Sequence, residues 1–153
     1  MPHKPQISSL EAHLGYWLRF VSNHVSHSFT IKVEAEGVTV AEWILMRQLF
    51  EHESANPSHL ADSIGLTRGA VSKLIDRLAR KNLATRSFGE KDRRYQSVAL
   101  TVAGRKLVPK LAKLADENDH EFFGHLSLEQ QSLLSALLKD IVRQQGWKNV
   151  PTD

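Results

Sequence analysis

Residues 56–82, NPSHLADSIGLTRGAVSKLIDRLARKN, decide the fold of this chain. Asn56 and Pro57 are typical of the N-cap and first position of a helix, and Gly65 suits the left-handed residue that ends one. Thr67 can then cap a second helix. Its apolar residues recur at i, i+3, i+4 and i+7, as in a helix that buries one face: Val71, Leu74, Ile75 and Leu78. Two short amphipathic helices joined by a tight glycine-containing turn predict a helix-turn-helix.

The second of these helices has the chemistry of a DNA-reading surface. In a helix-turn-helix, this helix enters the major groove with its N-terminal residues leading. Arg68 and Lys73 can reach guanine edges or phosphates. The predicted contact residues are basic, hydroxyl-bearing or small: Thr67, Arg68, Gly69, Ala70, Ser72, Lys73 and Arg77. On this pattern alone, an ordinary helical hairpin with a basic exposed side is the alternative.

A β-hairpin with a charged tip is predicted next. Residues 83–88 and 95–100 form two short extended runs around the six-residue segment GEKDRR, residues 89–94. An arginine at such a tip fits the narrow, strongly negative minor groove of DNA. We expect Asp92 to pair with a neighbouring arginine, which would fix the loop and preorganise the other arginine. The alternative is that Asp92 only forms the turn. The predicted contact residues at the tip are Lys91, Asp92, Arg93 and Arg94.

The distribution of charge supports a polyanionic partner. The 153 residues carry a net charge of only +3. Residues 67–106 contain eleven basic and three acidic residues, a net charge of +8, whereas the rest of the chain has a net charge of −5. A basic centre within an acidic frame is the electrostatic pattern of a nucleic-acid-binding face.

Helices are predicted on both sides of this central region, so the fold class is mainly α. A first amphipathic helix is expected from Ser9 to about Phe29. A second starts at a capping box and runs to about Glu53. A fifth runs from Thr101 to about Gly124, and a leucine-rich sixth follows another capping box. The first and last helices carry more apolar surface than one small domain can cover, which predicts a homodimer.

Several classes of protein are excluded or disfavoured. The chain has no cysteine, which rules out disulfides and thiol redox sensing. It has no apolar run near the length of about 18 residues that a membrane span needs. It has no phosphate-binding loop, nucleophile elbow or zinc-hydrolase motif. We therefore expect a cytoplasmic protein that is not an enzyme, needs no cofactor and has no membrane partner.

Taken together, these elements resemble the MarR family of bacterial transcription regulators from about Leu10 to Arg143. The strongest match is the hairpin tip DRRY, residues 92–95, followed by VALT at 98–101 and Ala103-Gly104. This is similar to the Asp-x-Arg wing signature of the family and the helix start after it. Leu60-Ala61 and the segments 71–72 and 74–78 also fit the family pattern.

The resemblance implies a winged helix-turn-helix at residues 38–101, flanked by dimerisation helices at 9–33 and 102–146, in one single MarR-like chain of residues 1–153. It implies a homodimer on a pseudo-palindromic double-stranded DNA site, with Arg94 in the minor groove. Repression is the common role in the family. Activation also occurs, and the sequence does not distinguish the two.

The resemblance also implies a small aromatic, anionic or phenolic effector. Aromatic and cationic residues of the first two helices are the expected contacts: His13, Trp17, Trp43 and Arg47. The alternative for each of them is ordinary core packing. Two alternative functions are a zinc-responsive regulator of the same fold and a non-specific nucleoid-type DNA binder. The histidine spacings are weak for a metal, so no metal ligand is assigned.

Overall fold

A computed structural model describes residues 4–148. Within this range a short 3-10 turn, six α-helices and a two-stranded antiparallel sheet follow one another along the chain. Their bounds are Leu10–Ala12 for the 3-10 turn, then Leu14–Glu34 (α1), Val40–Phe50 (α2), Pro57–Ile64 (α3), Arg68–Arg80 (α4), Ala84–Phe88 (β1), Gln96–Leu100 (β2), Val102–Phe123 (α5) and Leu128–Gln145 (α6). The predicted mainly α fold with a small β-hairpin wing is confirmed.

The helix starts follow from the predicted caps. Thr39 Oγ1 accepts a hydrogen bond from Glu42 N at 3.1 Å, and Glu42 Oε2 accepts one from Thr39 N at 3.0 Å. Asn56 Oδ1 accepts from the backbone of the second residue of α3 at 2.8 Å. Gly65, with φ of 76°, ends α3 in the left-handed region. These local contacts set the lengths of the helices that build the central region.

The first helix differs from its prediction at both ends. His13 is in an extended conformation, with φ of −96° and ψ of 124°, and it separates the 3-10 turn from α1. The helix continues past Phe29 to Glu34 because Val33, one turn further along, is completely buried in the core. The turn that follows α1 therefore begins only after Glu34.

The second helix ends at Phe50 rather than near Glu53. Ala55 forms an isolated β-bridge with Val98 of β2, in which the two backbone hydrogen bonds measure 2.8 and 2.9 Å. The chain has to leave the helix to reach this bridge. As a result, the start of the helix-turn-helix is tied directly to the wing.

The wing is a short hairpin that packs against α4. Its register pairs Ala84 with Leu100 and Phe88 with Gln96. Helix α4 ends at Arg80, because Asn82, two residues further along, has a positive φ of 59° that turns the chain into β1. The strands also begin one residue later than predicted, at Ala84 and at Gln96.

One apolar core holds these elements together. It takes buried residues from α1 to α5 and from both strands, including Val33, Leu45, Met46, Leu49, Leu60, Val71, Ile75, Leu78, Val98, Val108 and Leu111. Helix α6 contributes no buried residue. The inward stripe of α4 that the sequence predicted is part of this core, and its opposite face is therefore directed outwards.

The first turn of α5 requires a glycine. A Cβ atom added at Gly104 would lie 2.2 Å from the carbonyl oxygen of Leu83, which accepts a hydrogen bond from Thr101 N at 3.0 Å. The two atoms closest to this Cβ, the carbonyl oxygen and carbonyl carbon of Leu83, belong to the backbone and cannot rotate away. We therefore expect Gly104→Ala to lower the free energy of unfolding by about 3 kcal/mol. Urea denaturation measures this. Gly15→Ala is the matched control, because a Cβ there meets nothing within 4 Å. Equal stabilities of the two variants would contradict the prediction.

Candidate nucleic-acid interface

Helix α4 presents a basic face to solvent. Its apolar stripe is buried, while Arg68, Lys73 and Arg77 are exposed. Thr67 caps the helix, and its Oγ1 accepts a hydrogen bond from Ala70 N at 3.1 Å. The structure thus places the charged side chains predicted for DNA contact on one outer surface.

Gly69 is exposed on the first turn of α4, next to Arg68. A Cβ added there would meet nothing within 4 Å. Nothing in the described part of the chain therefore requires a glycine at this position. That Gly69 leaves space for a partner to approach the helix stays a prediction.

Arg86 of β1 is a site residue that the sequence reasoning missed. Its Nη2 donates to Ser72 Oγ at 3.1 Å and to Ser72 O at 3.3 Å, and it lies 3.5 Å from Asp76 Oδ1. Alternation along β1 places Arg86 on the same side as the buried Ala84. A charged side chain on the inner side of a strand needs hydrogen-bond acceptors. The alternation of residues along β1 could therefore have identified Arg86 as a residue with a structural partner. Arg86 therefore connects the wing to α4, which we call the reading helix because of its predicted DNA contacts, and it holds the hydroxyl of Ser72.

The tip of the wing is organised by an ion pair. Arg94 Nε donates to both carboxylate oxygens of Asp92 at 3.0 Å, and its Nη2 donates to Oδ2 at 2.7 Å. The backbone N of Arg94 also donates to Oδ1 at 3.0 Å. The Arg94 side chain is nevertheless 91% exposed. The predicted pairing of Asp92 with a neighbouring arginine is present, and Arg94 is the partner, held in place while it faces solvent.

The other tip residues are arranged around this pair. The guanidinium of Arg93 lies over the ring of Phe88, 5.8 Å from its centroid, and Lys91 is exposed. Gly89 lets the tip close, because a Cβ there would lie 2.6 Å from the carbonyl oxygen of Asp92. The wing therefore presents three cations from one compact loop.

The ion pair predicts the titration of Asp92. Hydrogen bonds from Arg94 hold the pKa of Asp92 below its usual value of 3.8 and raise the pKa of Arg94. A lowered folded-state pKa means that the pair contributes fully above pH 3.8 and is lost only as the pH falls through the lower folded value. We expect carboxyl-carbon NMR to give a midpoint below 3.8. Arg94→Ala should raise it and Arg93→Ala should not; an unchanged midpoint in Arg94→Ala would contradict the assignment.

The four predicted effector contacts have different surroundings. His13 is the N-cap residue of α1 but its side chain makes no capping hydrogen bond, and Trp17 Nε1 donates to Glu11 O at 2.8 Å. Trp43 is half-buried against the core, and Arg47 pairs with Glu51. In the described protomer, a cavity of about 530 Å³ lies between α5 and α6 and one of about 200 Å³ between α2 and α3. None of the four residues lines either cavity.

The histidines considered for a metal are spread over the surface. The imidazole of His24 stacks on Phe20, with 4.8 Å between ring centroids, and its Nδ1 is 2.8 Å from Phe20 O. Among residues 4–148, no three histidine, aspartate or glutamate side chains converge as metal ligands would. No helix in the same range is long and apolar enough to span a membrane.

A helix-turn-helix with an exposed basic second helix, followed by a hairpin with arginines at its tip, defines a winged-helix DNA-binding protein. Residues 38–95 match the model of the MarR family. The chain is 24% identical to the transcriptional regulator HosA of Escherichia coli, over 76% of this chain and 86% of HosA. The helix-turn-helix and the wing therefore match the MarR family, and the chain is similar to DNA-binding transcriptional regulators of that family.

Solved structures agree with this assignment. A crystal structure of the MepR–DNA complex of S. aureus superposes with a TM-score of 0.77 at 25% identity, covering 86% of this chain and 98% of MepR. A structure of Bordetella bronchiseptica BpsR, from work on the regulation of its DNA binding by 6-hydroxynicotinic acid, gives a TM-score of 0.75 at 21% identity. It covers 89% of this chain and 97% of BpsR. The second likeness shows the fold alone.

Proposed function

We propose that this protein is a homodimeric repressor that binds a pseudo-palindromic operator and is released by a small aromatic anion. The observation that carries the proposal is the joint exposure of the basic face of α4 and the arginine tip of the wing. Both belong to residues 67–106, whose net charge is +8. The fold it shares with MepR, which was crystallised with DNA, supports the same use of these two elements.

Each predicted contact has a defined role in this proposal. Arg68 and Lys73 at the start of α4 face base edges, and Arg77 faces the flanking backbone. Thr67 and Ser72 donate to phosphates, while Gly69 and Ala70 allow close approach. In the wing, Arg94 enters the minor groove, with Lys91 and Arg93 beside it and Asp92 holding its guanidinium.

The apolar surfaces of α1 and α6 support the dimer. Leu14, at the start of α1, is 82% exposed, and α6 has no buried residue. Further large apolar side chains on these helices are open to solvent: Trp17, Leu18, Phe20, Val21, Leu133, Leu137, Leu138 and Ile141. Exposed apolar surface of this extent on two helices marks an interaction site. A second copy of the chain covers it in our proposal.

The division into regions follows from this arrangement. The proposed DNA-binding region is residues 38–101, and the proposed dimerisation helices span 9–33 and 102–146. The N-terminal half of α5 serves both regions, since Val108 and Leu111 are buried in the winged core. In the proposed dimer it links the interface to the DNA-binding elements.

An aromatic anion is proposed as effector because BpsR, whose DNA binding responds to 6-hydroxynicotinic acid, shares this fold. In this chain Trp17 packs edge-on against Tyr16, with 5.4 Å between ring centroids, and is part of an exposed aromatic surface. His13 and Arg47 supply groups that can meet a carboxylate. Dimer formation would have to complete the site that these residues and Trp43 share. No observation favours the zinc-responsive alternative.

The proposal is tested by selecting bound duplexes from a random DNA pool with the purified full-length protein. We expect one two-fold symmetric sequence with half-sites about one helical turn apart. We also expect its affinity to fall steeply with salt as counterions are released. Diffuse footprints without a common sequence would instead identify the nucleoid-type alternative.

Release by ligand is tested with the selected duplex and a panel of hydroxylated benzoates and nicotinates. We expect release of DNA together with a change in tryptophan fluorescence, because a ligand that prefers the unbound dimer weakens DNA binding by its differential affinity. The Trp17→Phe, Trp43→Phe double variant should lose most of the fluorescence change. Quenching that survives in this variant would place the ligand elsewhere. Absence of release across the panel would contradict the effector proposal and leave DNA binding unaffected.

A further inference from the structure

The C-terminal end of α4 is held by a buried carboxylate. Glu42, in the first turn of α2, has only 1% of its surface exposed. Its Oε2 accepts hydrogen bonds from Thr39 N at 3.0 Å and from Lys81 Nζ at 2.7 Å. Lys81 is the C-cap residue of α4, and its Nζ also donates to Gly37 O at 2.9 Å. One ammonium group therefore joins the end of the reading helix to the turn between α1 and α2.

The ion pair between Lys81 and Glu42 is not needed to cap α2. A capping box needs a side-chain acceptor at its fourth position, and a neutral glutamine supplies one. A buried carboxylate, by contrast, is unfavourable unless a cation pairs with it. Lys81 supplies that cation at the end of a helix, where the helix dipole also favours positive charge. The charged pair therefore links α4 to the corner of the α1–α2 unit.

The pair lies at the C-terminal end of α4, so a small change in the tilt of the helix there displaces its N-terminal end, which carries the predicted DNA contacts. Apolar contacts along the inner face hold the helix to the core but are not directional. Helix α4 has 13 residues and is therefore about 20 Å long. A tilt of about 10° around its C-terminal end would displace Arg68 by about 3.4 Å, the rise of one base pair.

We propose that the Glu42–Lys81 pair is a positioning device that sets the half-site spacing accepted by the dimer. This inference rests on the proposed dimeric binding of an operator. The pair acts through α4 rather than by touching DNA, because Nζ of Lys81 is engaged by Glu42 and Gly37. Since α1 ends just before this turn, the pair connects a proposed dimerisation helix to each reading helix.

The test uses the full-length protein and the duplex selected by the wild type, together with duplexes that have one base pair inserted or removed between the half-sites. Lys81→Met alone strands a buried carboxylate, so we expect lowered thermal stability. Glu42→Gln combined with Lys81→Met should recover stability, since the amide can still accept from Thr39 N. Lys4→Met is the control, because it removes one positive charge from an exposed side chain outside the proposed DNA-binding and dimerisation regions.

The decisive measurement is the ratio of the protein's affinity for the selected duplex to its affinity for the duplexes of altered spacing. In the double variant we expect the ratio of the two affinities to be about threefold to tenfold smaller than in the wild type, whereas Lys4→Met should keep the wild-type ratio. Unchanged discrimination in the double variant would overturn the inference. So would an equal drop in affinity for all spacings, which would identify Lys81 as a phosphate contact. If the wild type selects no symmetric sequence, the proposed function fails and this inference fails with it.

Discussion

Replacing Arg68 with alanine is expected to weaken operator binding by about 2–6 kcal/mol per dimer, because a bidentate guanine contact is worth about 1–3 kcal/mol and is lost in both half-sites. Arg68 is exposed on the first turn of α4, and a Cβ added at its neighbour Gly69 would meet nothing within 4 Å. The preference for guanine at one position in each half-site should relax at the same time. Fluorescence anisotropy with the selected duplex and its single-base variants measures both effects.

Two variants separate base reading from charge. Arg68→Lys keeps the positive charge but cannot form the planar bidentate contact, so we expect relaxed specificity with a largely preserved salt dependence. Arg80→Ala removes an arginine from the far end of the same helix and should leave base preference intact. Full wild-type specificity in Arg68→Lys would show that Arg68 contacts phosphate only.

Disruption of the dimer is expected to have the other large effect. Leu137 lies on the apolar face of α6 and is 54% exposed in the protomer. Leu137→Glu would bury a carboxylate on each side of the proposed interface, at a cost of about 3 kcal/mol or more for each. We expect a monomer at micromolar concentration in sedimentation experiments. Operator affinity should fall about 100-fold or more, because two linked reading helices bind with avidity that single ones lack.

The matched control for this prediction is Ser132→Glu. It introduces the same charge on the same helix, away from the apolar face that contains Leu137. It should remain dimeric and bind the operator as the wild type does. A dimeric Leu137→Glu protein with unaltered DNA affinity would show that α6 lies outside the interface.

The local sequence was sufficient for the starts of α2 to α6 and for the identification of the helix-turn-helix and the wing. Caps act within four residues, so Thr39, Asn56 and Thr67 could be recognised without any tertiary information. The amphipathic period of α4 in the same way identified which side of the helix would be exposed. The predicted partner of Asp92 was also local, because Arg94 lies only two residues away.

Helix ends and strand bounds were less predictable because distant residues determine them. Helix α2 stops where Ala55 turns away to pair with Val98, 43 positions later in the chain. Helix α1 continues to Glu34 because Val33 finds a place in a core built by later elements. No local pattern contains these contacts.

The sequence by itself determined the class of protein: a basic helix-turn-helix with an arginine-tipped wing between apolar flanking helices. Only the tertiary structure revealed the two polar contacts that hold the reading helix in place, from Arg86 to Ser72 and from Lys81 to Glu42. The partners in these contacts lie 14 and 39 positions apart. The physical reason is that hydrogen bonds and ion pairs depend on direction and distance within a few tenths of an ångström. Periodicity along the chain determines which face of a helix is buried, whereas the packed core determines which polar groups meet.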